Sequence, residues 1–230
     1  MNYVISDIHG YYSIYEQVKN MLKPNDKVYF LGDAGDRGPD SWKTITAIYN
    51  DPQWVYLKGN HEQMLVDAMK DDLGDDYNRF DSFNKQHLFT NEGQDTYESW
   101  ANLDENEKIK WYNRLSKLPE YLIINLNEKE YHLSHAGFNP WSINKNYLWD
   151  RKHYKTLPNN CFNTTYKDMY IVHGHTPVWY MDYSYETNKL TETPISYNFD
   201  HKICIDLGVY ETKKSCLYCL DTNSYIILSV

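Results

Sequence analysis

Three groups of polar residues in the first 62 positions each follow a short apolar run, and each group contains side chains that bind metals. The groups are Asp7-Ile8-His9-Gly10, Gly32-Asp33-Ala34-Gly35-Asp36-Arg37-Gly38 and Lys58-Gly59-Asn60-His61-Glu62. Carboxylate, imidazole and amide groups are ligands for metal cations, and the planar guanidinium of Arg37 matches phosphate oxygens. A solvated turn explains one such group equally well, because Gly and Asp are common in turns. It explains three in succession poorly, so we expect a metal site that also contacts phosphate.

The apolar runs before these groups are expected to be parallel β-strands. They lie at residues 3–5, 28–31 and 54–57, and the segments 13–22 and 41–49 between them carry apolar side chains at helical spacing. The order strand, helix, strand favours parallel pairing. The carboxyl ends of parallel strands meet at one edge of a sheet, where α/β proteins place their sites. The sequence therefore predicts an α/β fold in which the three groups lie together.

The second half of the sequence changes to β-strand patterns and adds further histidines. Runs at 121–126 and 130–134 are predicted to form a hairpin, and further strands are expected at 170–172, 202–206, 215–220 and 225–230. Strand ends there carry His135-Ala136-Gly137 and His173-Gly174-His175-Thr176-Pro177. Residues 61–120 look mostly helical, with Asp104 as the expected cap of one helix. We expect one domain over 1–230 with a mainly helical insert at about 65–118.

Six residues at these strand ends form a candidate ligand set without a thiolate. They are Asp7, His9, Asp33, Asn60, His135 and His175. Oxygen and imidazole ligands suit manganese, iron or zinc. Six ligands are too many for one catalytic ion that keeps open positions, but they suit two ions that share a carboxylate. Two adjacent metal ions clamp both oxygens of an in-line phosphoryl displacement.

The order of these motifs resembles that of the calcineurin-like metallophosphoesterases. The sequence is most similar to the phosphoprotein phosphatase branch, and within it to the small bacterial and phage phosphatases of the lambda type. The motifs that carry the resemblance are D-x-H-G, G-D-x-x-D-R-G, G-N-H-E, H-A-G and G-H-T-P, together with Leu118-Pro119, Leu148-Trp149-Asp150-Arg151 and Ile205-Asp206-Leu207-Gly208. The resemblance covers nearly the whole chain and implies a four-layer α/β/β/α sandwich of two mixed sheets flanked by helices.

The resemblance also implies a role for each site residue. Asp7, His9 and Asp33 would hold a first metal, and Asp33, Asn60, His135 and His175 would hold a second, with Asp33 bridging. His61 would be the general acid and Asp36 its orienting partner. Arg37, Arg151 and Asn60 would bind the substrate phosphate. His173 is expected to be structural, because Pro177 stands where the wider superfamily often has an additional ligand histidine.

The implied activity is hydrolysis of phosphoric monoesters by a hydroxide that bridges two metal ions, with manganese as the first candidate and iron and zinc as alternatives. The first hypothesis is a serine/threonine protein phosphatase. An alternative is a symmetrical bis(5'-nucleosyl)-tetraphosphatase, and a third is a non-catalytic binding module, which predicts eroded ligands. The tyrosine-rich segment Trp179 to Tyr185 either stacks a base or is simply surface.

Three positions depart from the family pattern. Lys58 replaces an arginine, which reduces any bidentate contact there to a point charge. Asp206-Leu207-Gly208 replaces D-T-G, so the shape of the far wall of the site is in doubt. Gly35 replaces a β-branched residue and is expected to loosen its loop.

Charge and composition restrict the partners. The formal net charge of −9 argues against nucleic acid, and no run approaches the roughly 20 apolar residues that span a bilayer. We expect no signal peptide, because residues 3–5 lead directly into polar Ser6 and Asp7. The four cysteines, including the C-x-x-C pair Cys216 and Cys219, are expected to be ordinary thiols in a cytoplasmic protein. The expected partner is a phosphorylated protein or a small phosphate-containing substrate.

Overall fold

The structure, a computed structural model, describes residues 1–74, 83–140, 142–151, 168–181, 192–197 and 200–230. The strands in these ranges are β1 (Asn2–Ile5), β2 (Lys27–Phe30), β3 (Trp54–Tyr56), β4 (Tyr121–Leu126), β5 (Lys129–Ser134), β6 (Met169–His173), β7 (Ile195–Tyr197), β8 (Lys202–Cys204), β9 (Lys214–Cys219) and β10 (Ser224–Ser229). The helices are α1 (Tyr12–Met21), α2 (Ser41–Asn50), α3 (Asn60–Leu73), α4 (Phe83–Thr90), α5 (Gln94–Ala101), α6 (Glu105–Ser116), α7 (Val178–Met181) and α8 (Val209–Thr212).

The strands form two mixed five-stranded sheets flanked by helices, which confirms the predicted sandwich class. The first sheet has the order β10-β9-β1-β2-β3 and the second has the order β4-β5-β6-β8-β7. Strands β1, β2 and β3 are parallel, as are β5, β6 and β8. The remaining strands pair antiparallel at the sheet edges. Each sheet therefore has a run of parallel strands whose carboxyl ends share one edge.

Strand β2 shows why the first sheet is apolar on both faces. Val28 and Phe30 belong to the core between this sheet and its helices, whereas Tyr29 and the following Leu31 belong to the core that also contains Tyr131 of β5. Successive side chains of a strand point to opposite faces. A sheet covered on both faces needs a continuous apolar run rather than an alternating one, and the sequence of β2 has such a run.

The predicted hairpin is present in the second sheet. Strands β4 and β5 pair antiparallel up to Leu126 and Lys129, and the two residues between them, Asn127 and Glu128, have φ of 51° and 62°. Positive φ at both central residues is the geometry of the two-residue turn that matches strand twist. The hairpin ends beside His135 and so places a predicted ligand at the sheet edge.

The segment between β3 and β4 is helical over its described residues. Helix α3 packs against α4, α5 and α6. Asp104 caps α6, because its Oδ1 accepts a hydrogen bond from the backbone N–H of Glu107 at 3.0 Å, as predicted. Helices α7 and α8 and strand β7 were not predicted from the sequence.

Three of the four cysteines lie within the described residues. Cys204, Cys216 and Cys219 are free and buried, and Cys161 lies outside the described ranges. Among the residues whose structure is described, no helix has the length and apolar character needed to cross a bilayer.

Candidate active site

Ten site residues predicted from the sequence lie together, nine of them shortly after the carboxyl ends of parallel strands and Arg151 in the connection between β5 and β6. Eight of them line one cavity of about 340 Å³, namely Asp7, His9, Asp33, Arg37, Asn60, His61, Arg151 and His175. The other two lie behind its lining, where Asp36 contacts His61 and His135 contacts Asn60. The structure therefore brings the whole predicted set together.

The loops after β1 and β2 hold their ligands in a left-handed backbone conformation. Asp7, His9 and Asp33 have φ of 52°, 46° and 61°. This region is uncommon for residues other than Gly, and such residues persist where the surrounding structure fixes them. Here the backbone N–H of Asp7 donates to Gly32 O, and that of His9 donates to Asp33 O, both at 3.0 Å. The two loops thus continue the pairing of their strands and fix each other.

His9 presents one ring nitrogen to the cavity as an acceptor. Its Nδ1 lies 3.0 Å from the carbonyl oxygen of Gly35 and donates to it, so Nε2 carries the lone pair. Nε2 lies 3.9 Å from Oδ1 of Asp7 and 3.7 Å from Oδ2 of Asp33. Burial, with the charge of Arg37 second, holds the pKa of His9 well below its ordinary value. A neutral imidazole beside two carboxylates is suited to bind a metal ion.

A guanidinium already contacts the acceptor nitrogen of His9. Nη1 of Arg37 lies 2.6 Å from Nε2 and donates to it. A metal ion at Nε2 would take the place of this hydrogen bond. The same exchange would free the guanidinium for a phosphate oxygen.

His135, Asn60 and His175 form a second, deeper ligand group. Nε2 of His135 lies 2.7 Å from Oδ1 of Asn60, 3.1 Å from Nδ1 of His175 and 3.3 Å from Oδ2 of Asp33. Nδ1 of His135 lies 3.0 Å from the carbonyl oxygen of Leu31 and donates to it. Two imidazole nitrogens that face each other share at most one proton, and an amide oxygen and a carboxylate complete the group. This donor set fits a manganese, iron or zinc ion.

The pKa values of His135 and His175 show how the charge of the second ligand group is balanced without a metal ion. Burial lowers the pKa of His135, but Asp33 and Asp7 raise it to about 9, so the imidazole holds an extra proton between two carboxylates. Burial and the charge of His135 hold the pKa of His175 well below its ordinary value. The buried Nε2 of His175 has no hydrogen-bond partner. A metal ion would supply the positive charge that the proton on His135 now supplies.

Asp33 belongs to both ligand groups. Its Oδ2 lies 3.7 Å from Nε2 of His9 and 3.3 Å from Nε2 of His135. Burial opposes ionisation of Asp33, but the charges of His135 and His61 outweigh it and hold the pKa of this carboxyl well below its ordinary value. An ionised carboxylate between two ligand groups is placed to bridge two cations.

His61 is held by a carboxylate on one side and faces the cavity on the other. Nδ1 of His61 donates to Oδ2 of Asp36 at 2.6 Å, and Nε2 lies 3.1 Å from Nη2 of Arg37. Although burial lowers it, Asp33 and Asp36 together raise the pKa of His61 above its ordinary value. The raised pKa favours protonation of the imidazole, but in this structure Nε2 accepts from the guanidinium of Arg37, which can only donate, so a proton on Nε2 requires Arg37 to move away.

Glu62 is a residue whose role the sequence analysis missed. Its Oε2 accepts the backbone N–H groups of Asp33 and Gly59, and its Oε1 accepts the backbone N–H of Ala34 and the hydroxyl of Tyr56, at 2.7 to 2.8 Å. One buried carboxylate thus joins the loop after β2 to the start of α3. The position of a Glu in the first turn of a helix is the sequence signal for such a contact.

Helix α5 and the turn before it hold the loop that carries Asp36. The backbone N–H of Asp36 donates to Oγ1 of Thr96 at 3.1 Å, and the backbone N–H of Arg37 donates to the carbonyl oxygen of Glu92 at 3.2 Å. Asp36 and Arg37 both have positive φ, at 66° and 67°. The conformation of this loop therefore depends on helices that lie outside both sheets.

Lys58, one of the three departures, does not line the cavity. Its Nζ donates to Oε1 of Gln63 and to the carbonyl oxygen of Ser116, both at 3.1 Å. The lysine therefore joins α3 to the end of α6. Each of these contacts is a single hydrogen bond from an ammonium group, whereas an arginine could have made a bidentate contact.

The other two departures involve glycines in close contact with their surroundings. At Gly35, an added Cβ would lie 2.8 Å from Cδ1 of Ile45, so a larger residue there would have to displace that side chain. Gly208 has φ of 61°, and an added Cβ would lie 1.8 Å from Cη2 of Trp179. Gly208, which the motif shares with D-T-G, therefore allows α8 to lie against the indole of α7, and nothing in the structure explains the change at Leu207.

Arg151 lines the cavity from an exposed segment that follows an aromatic stack. The Trp149 ring lies edge-on to His175 with centroids 6.2 Å apart, and it stacks on His87 of α4 at 5.7 Å. Trp149 is therefore packed beside a predicted ligand histidine. Arg151 itself lines the cavity, which is the position that the phosphate-binding prediction requires.

Several residues near the cavity were assigned weakly or not at all from the sequence. Tyr180, Tyr210 and Asp206 line it. His173 is absent from its lining, and its Nε2 lies 2.7 Å from the hydroxyl of Tyr197. Of the tyrosine-rich segment, positions 182–185 lie outside the described residues.

Comparison with known proteins identifies the family to which the sequence is similar. A family model described as calcineurin-like phosphoesterase matches residues 3–207. The serine/threonine-protein phosphatase 2 of Escherichia coli is 26% identical over 139 residues, which cover 59% of this chain and 58% of that protein. A symmetrical bis(5'-nucleosyl)-tetraphosphatase of Buchnera aphidicola is 32% identical over 151 residues, which cover 62% of this chain and 46% of that protein. The matched stretches thus span about half the length of these curated relatives.

Comparison with solved structures supports the fold. The crystal structure of a candidate diadenosine tetraphosphatase superposes with a TM-score of 0.65 and covers 99% of this chain and 92% of that chain. The two sequences are 14% identical. At this identity the similarity establishes the shared sandwich architecture.

Proposed function

The chain belongs to the calcineurin-like phosphoesterase family, and we propose that it is a metal-dependent phosphoric monoester hydrolase that acts on phosphoserine or phosphothreonine in proteins. One observation carries the proposal. The complete set of ten predicted site residues converges on one cavity. A non-catalytic module predicts the loss of ligand residues, and all six predicted ligands are present.

We propose two metal ions, with manganese first and iron or zinc as alternatives. Asp7, His9 and Asp33 would hold one ion, and Asp33, Asn60, His135 and His175 would hold the other. When bound, the ions supply the nucleophile from water and neutralise charge on the phosphate. Since Asp33 lies close to both nitrogens that would receive a metal, it is assigned as the bridge.

The remaining site residues divide the work on the substrate. Arg37 and Arg151 line the cavity and would bind the phosphate oxygens, where charge accumulates during displacement. Asn60 lies at the same wall. His61, whose raised pKa favours protonation, would donate an Nε2 proton to the leaving oxygen once Arg37 has turned to the phosphate. Asp36 would keep the imidazole oriented through Nδ1.

A dinucleoside polyphosphate is the second candidate substrate. The specific support is the Buchnera relative, which shares more identity with this chain over a longer stretch than the E. coli phosphatase does. The same metal ligands and arginines would serve both reactions. The prediction of a cytoplasmic protein without nucleic-acid or membrane partners remains part of the proposal, and it rests on composition.

The proposal is tested by an activity panel on the full chain. The protein is stripped with a chelator and reloaded with manganese, iron, zinc or magnesium, and each form is assayed with a phosphoserine peptide and with diadenosine tetraphosphate. We expect metal-dependent release of inorganic phosphate from the peptide, and loss of this activity in Asp33→Asn but not in Asp95→Asn, an exposed aspartate of α5. Cleavage of diadenosine tetraphosphate alone would favour the second candidate, and no cleavage of either substrate with any metal would overturn both.

A further inference from the structure

The cavity has a polar floor and an aromatic rim, and the proposed function uses the floor alone. The rim consists of Tyr180 and Tyr210, which line the cavity beside the metal-ligand and arginine side chains. Tyr180 is 61% exposed and Tyr210 is half-buried. An exposed aromatic ring at the mouth of a polar cavity offers a binding face to whatever group is attached to the bound phosphate.

The two short helices that carry the rim are fastened to each other. The backbone N–H of Val178, at the start of α7, donates to the carbonyl oxygen of Asp206 at 3.0 Å. The Trp179 indole lies against Gly208, at the start of α8, at a distance that leaves no room for a Cβ. The relative position of the tyrosines that follow each contact is therefore built into the fold and does not depend on a ligand.

The rim lies next to a guanidinium that the proposed function assigns to phosphate binding. Cζ of Arg37 lies 4.9 Å from the centroid of the Tyr210 ring, which is a cation–π contact. The hydroxyl of Tyr210 donates to Oε1 of Glu211 at 2.8 Å, which fixes the ring at its far end. A phosphate bound to Arg37 would thus place its ester substituent at the aromatic side of the cavity.

We infer that Tyr180 and Tyr210 form a subsite for a planar aromatic group joined to the phosphate, either the base of a nucleotide or the phenyl ring of phosphotyrosine. The inference rests on the proposed function for its phosphate site. Aromatic rings gain from stacking beyond the burial of their area, whereas the side chain of phosphoserine has no ring to stack. The subsite therefore discriminates among phosphate esters by what is attached to the phosphorus.

Calorimetric titration of the manganese-loaded full chain tests the subsite without turnover. The probes are the non-hydrolysable methylenephosphonate analogues of adenosine 5'-monophosphate, phosphotyrosine and phosphoserine. The variants are Tyr180→Leu and Tyr180→Phe, with Tyr225→Leu as a matched control on the exposed face of β10. Tyr210→Phe tests the second ring with its face retained.

We expect at least one aromatic probe to bind about ten-fold more tightly than the phosphoserine analogue, as one stacked ring contributes. In Tyr180→Leu this ratio should fall close to one, while Tyr180→Phe, Tyr210→Phe and Tyr225→Leu should keep it. A preference for the adenosine probe identifies a nucleobase subsite, and a preference for the phenyl probe identifies a phosphotyrosine subsite.

Two results would overturn the inference in distinguishable ways. If all three probes bind the wild-type chain with equal affinity, or if Tyr180→Leu weakens the binding of all three equally, there is no aromatic subsite. The assignment of the phosphate site is unaffected by either result. If none of the probes binds, both the subsite and the phosphate site are contradicted. In that case, phosphate release from the phosphoserine peptide decides whether the proposed function also fails.

Discussion

Nδ1 of His61 lies 2.6 Å from Oδ2 of Asp36, so the imidazole is fixed with Nε2 toward the cavity. Asp36 is in turn held by a backbone hydrogen bond to Thr96 of α5. The orientation of the proposed general acid is therefore determined by a buried carboxylate that is not itself in the ligand groups.

His61→Asn should lower kcat by roughly 10²- to 10⁴-fold on an alkyl phosphate ester, which is the usual contribution of a positioned proton donor. The loss should be much smaller on 4-nitrophenyl phosphate, whose leaving group needs no proton. Steady-state kinetics with both esters measure the difference. His132→Asn, at a histidine that pairs with Glu130 away from the cavity, is the control. An equal decrease in kcat on both esters would contradict the assignment of His61 as the general acid.

Glu62→Gln should destabilise the fold by about 2 to 5 kcal/mol. The carboxylate accepts four hydrogen bonds, and an amide presents an NH₂ group to one pair of donors, which leaves two buried donors unsatisfied at about 1 to 3 kcal/mol each. Urea denaturation of the purified variant measures the change in free energy of unfolding. Glu98→Gln, at an exposed glutamate of α5, should change it by less than about 0.5 kcal/mol. A neutral effect at Glu62 would contradict its role as the link between the two loops.

Metal binding should raise the melting temperature of the full chain. A ligand that binds the folded state at 100 times its Kd stabilises it by about 2.7 kcal/mol, which corresponds to roughly 5 to 10 °C for a chain of this size. Thermal unfolding with and without manganese measures the shift. Asp33→Asn should abolish the shift because Asp33 lies close to both ligand groups, whereas Asp95→Asn should retain it. A full shift in Asp33→Asn would exclude the bridging assignment.

Lys58→Met should reduce stability without raising the KM for a phosphate ester. The variant loses the hydrogen bonds from Nζ to Gln63 and to the half-buried carbonyl of Ser116, at a net cost of about 0.5 to 1.5 kcal/mol for each. Urea denaturation and steady-state kinetics on one preparation separate the two effects. A several-fold increase in KM at unchanged stability would contradict the structural role and indicate that Lys58 contributes to phosphate binding.

The parallel strands and the ligand groups were predictable because both depend on local patterns. A sheet that is covered on both faces requires continuous apolar runs, such as that of β2, and the residues that follow such runs must lie at the sheet edge. His135 and Asn60 could be placed together on this basis although they are 75 positions apart. Motif order supplied their expected roles.

The role of Glu62 and the aromatic rim were not predictable in the same way. Glu62 receives donors from the loop after β2, and the rim depends on α7 and α8, each of which has four residues. Helices this short have little intrinsic stability. They form because of contacts such as Trp179 with Gly208, which no local pattern reveals. The contact from Lys58 to Ser116 was not predictable for the same reason, since Ser116 lies 58 positions away.

The hydrogen bonds from Asp36 to Thr96 and from Arg37 to Glu92 have a consequence for how this chain can diverge. We retain the proposal that residues 65–118 are an insert. Two backbone N–H groups of the loop beside His61 nevertheless donate hydrogen bonds to acceptors in that segment. An exchange of these helices for those of a relative would therefore alter proton donation as well as the outer surface. We therefore expect substitutions in these helices to affect the loop that positions Asp36 and, through it, His61.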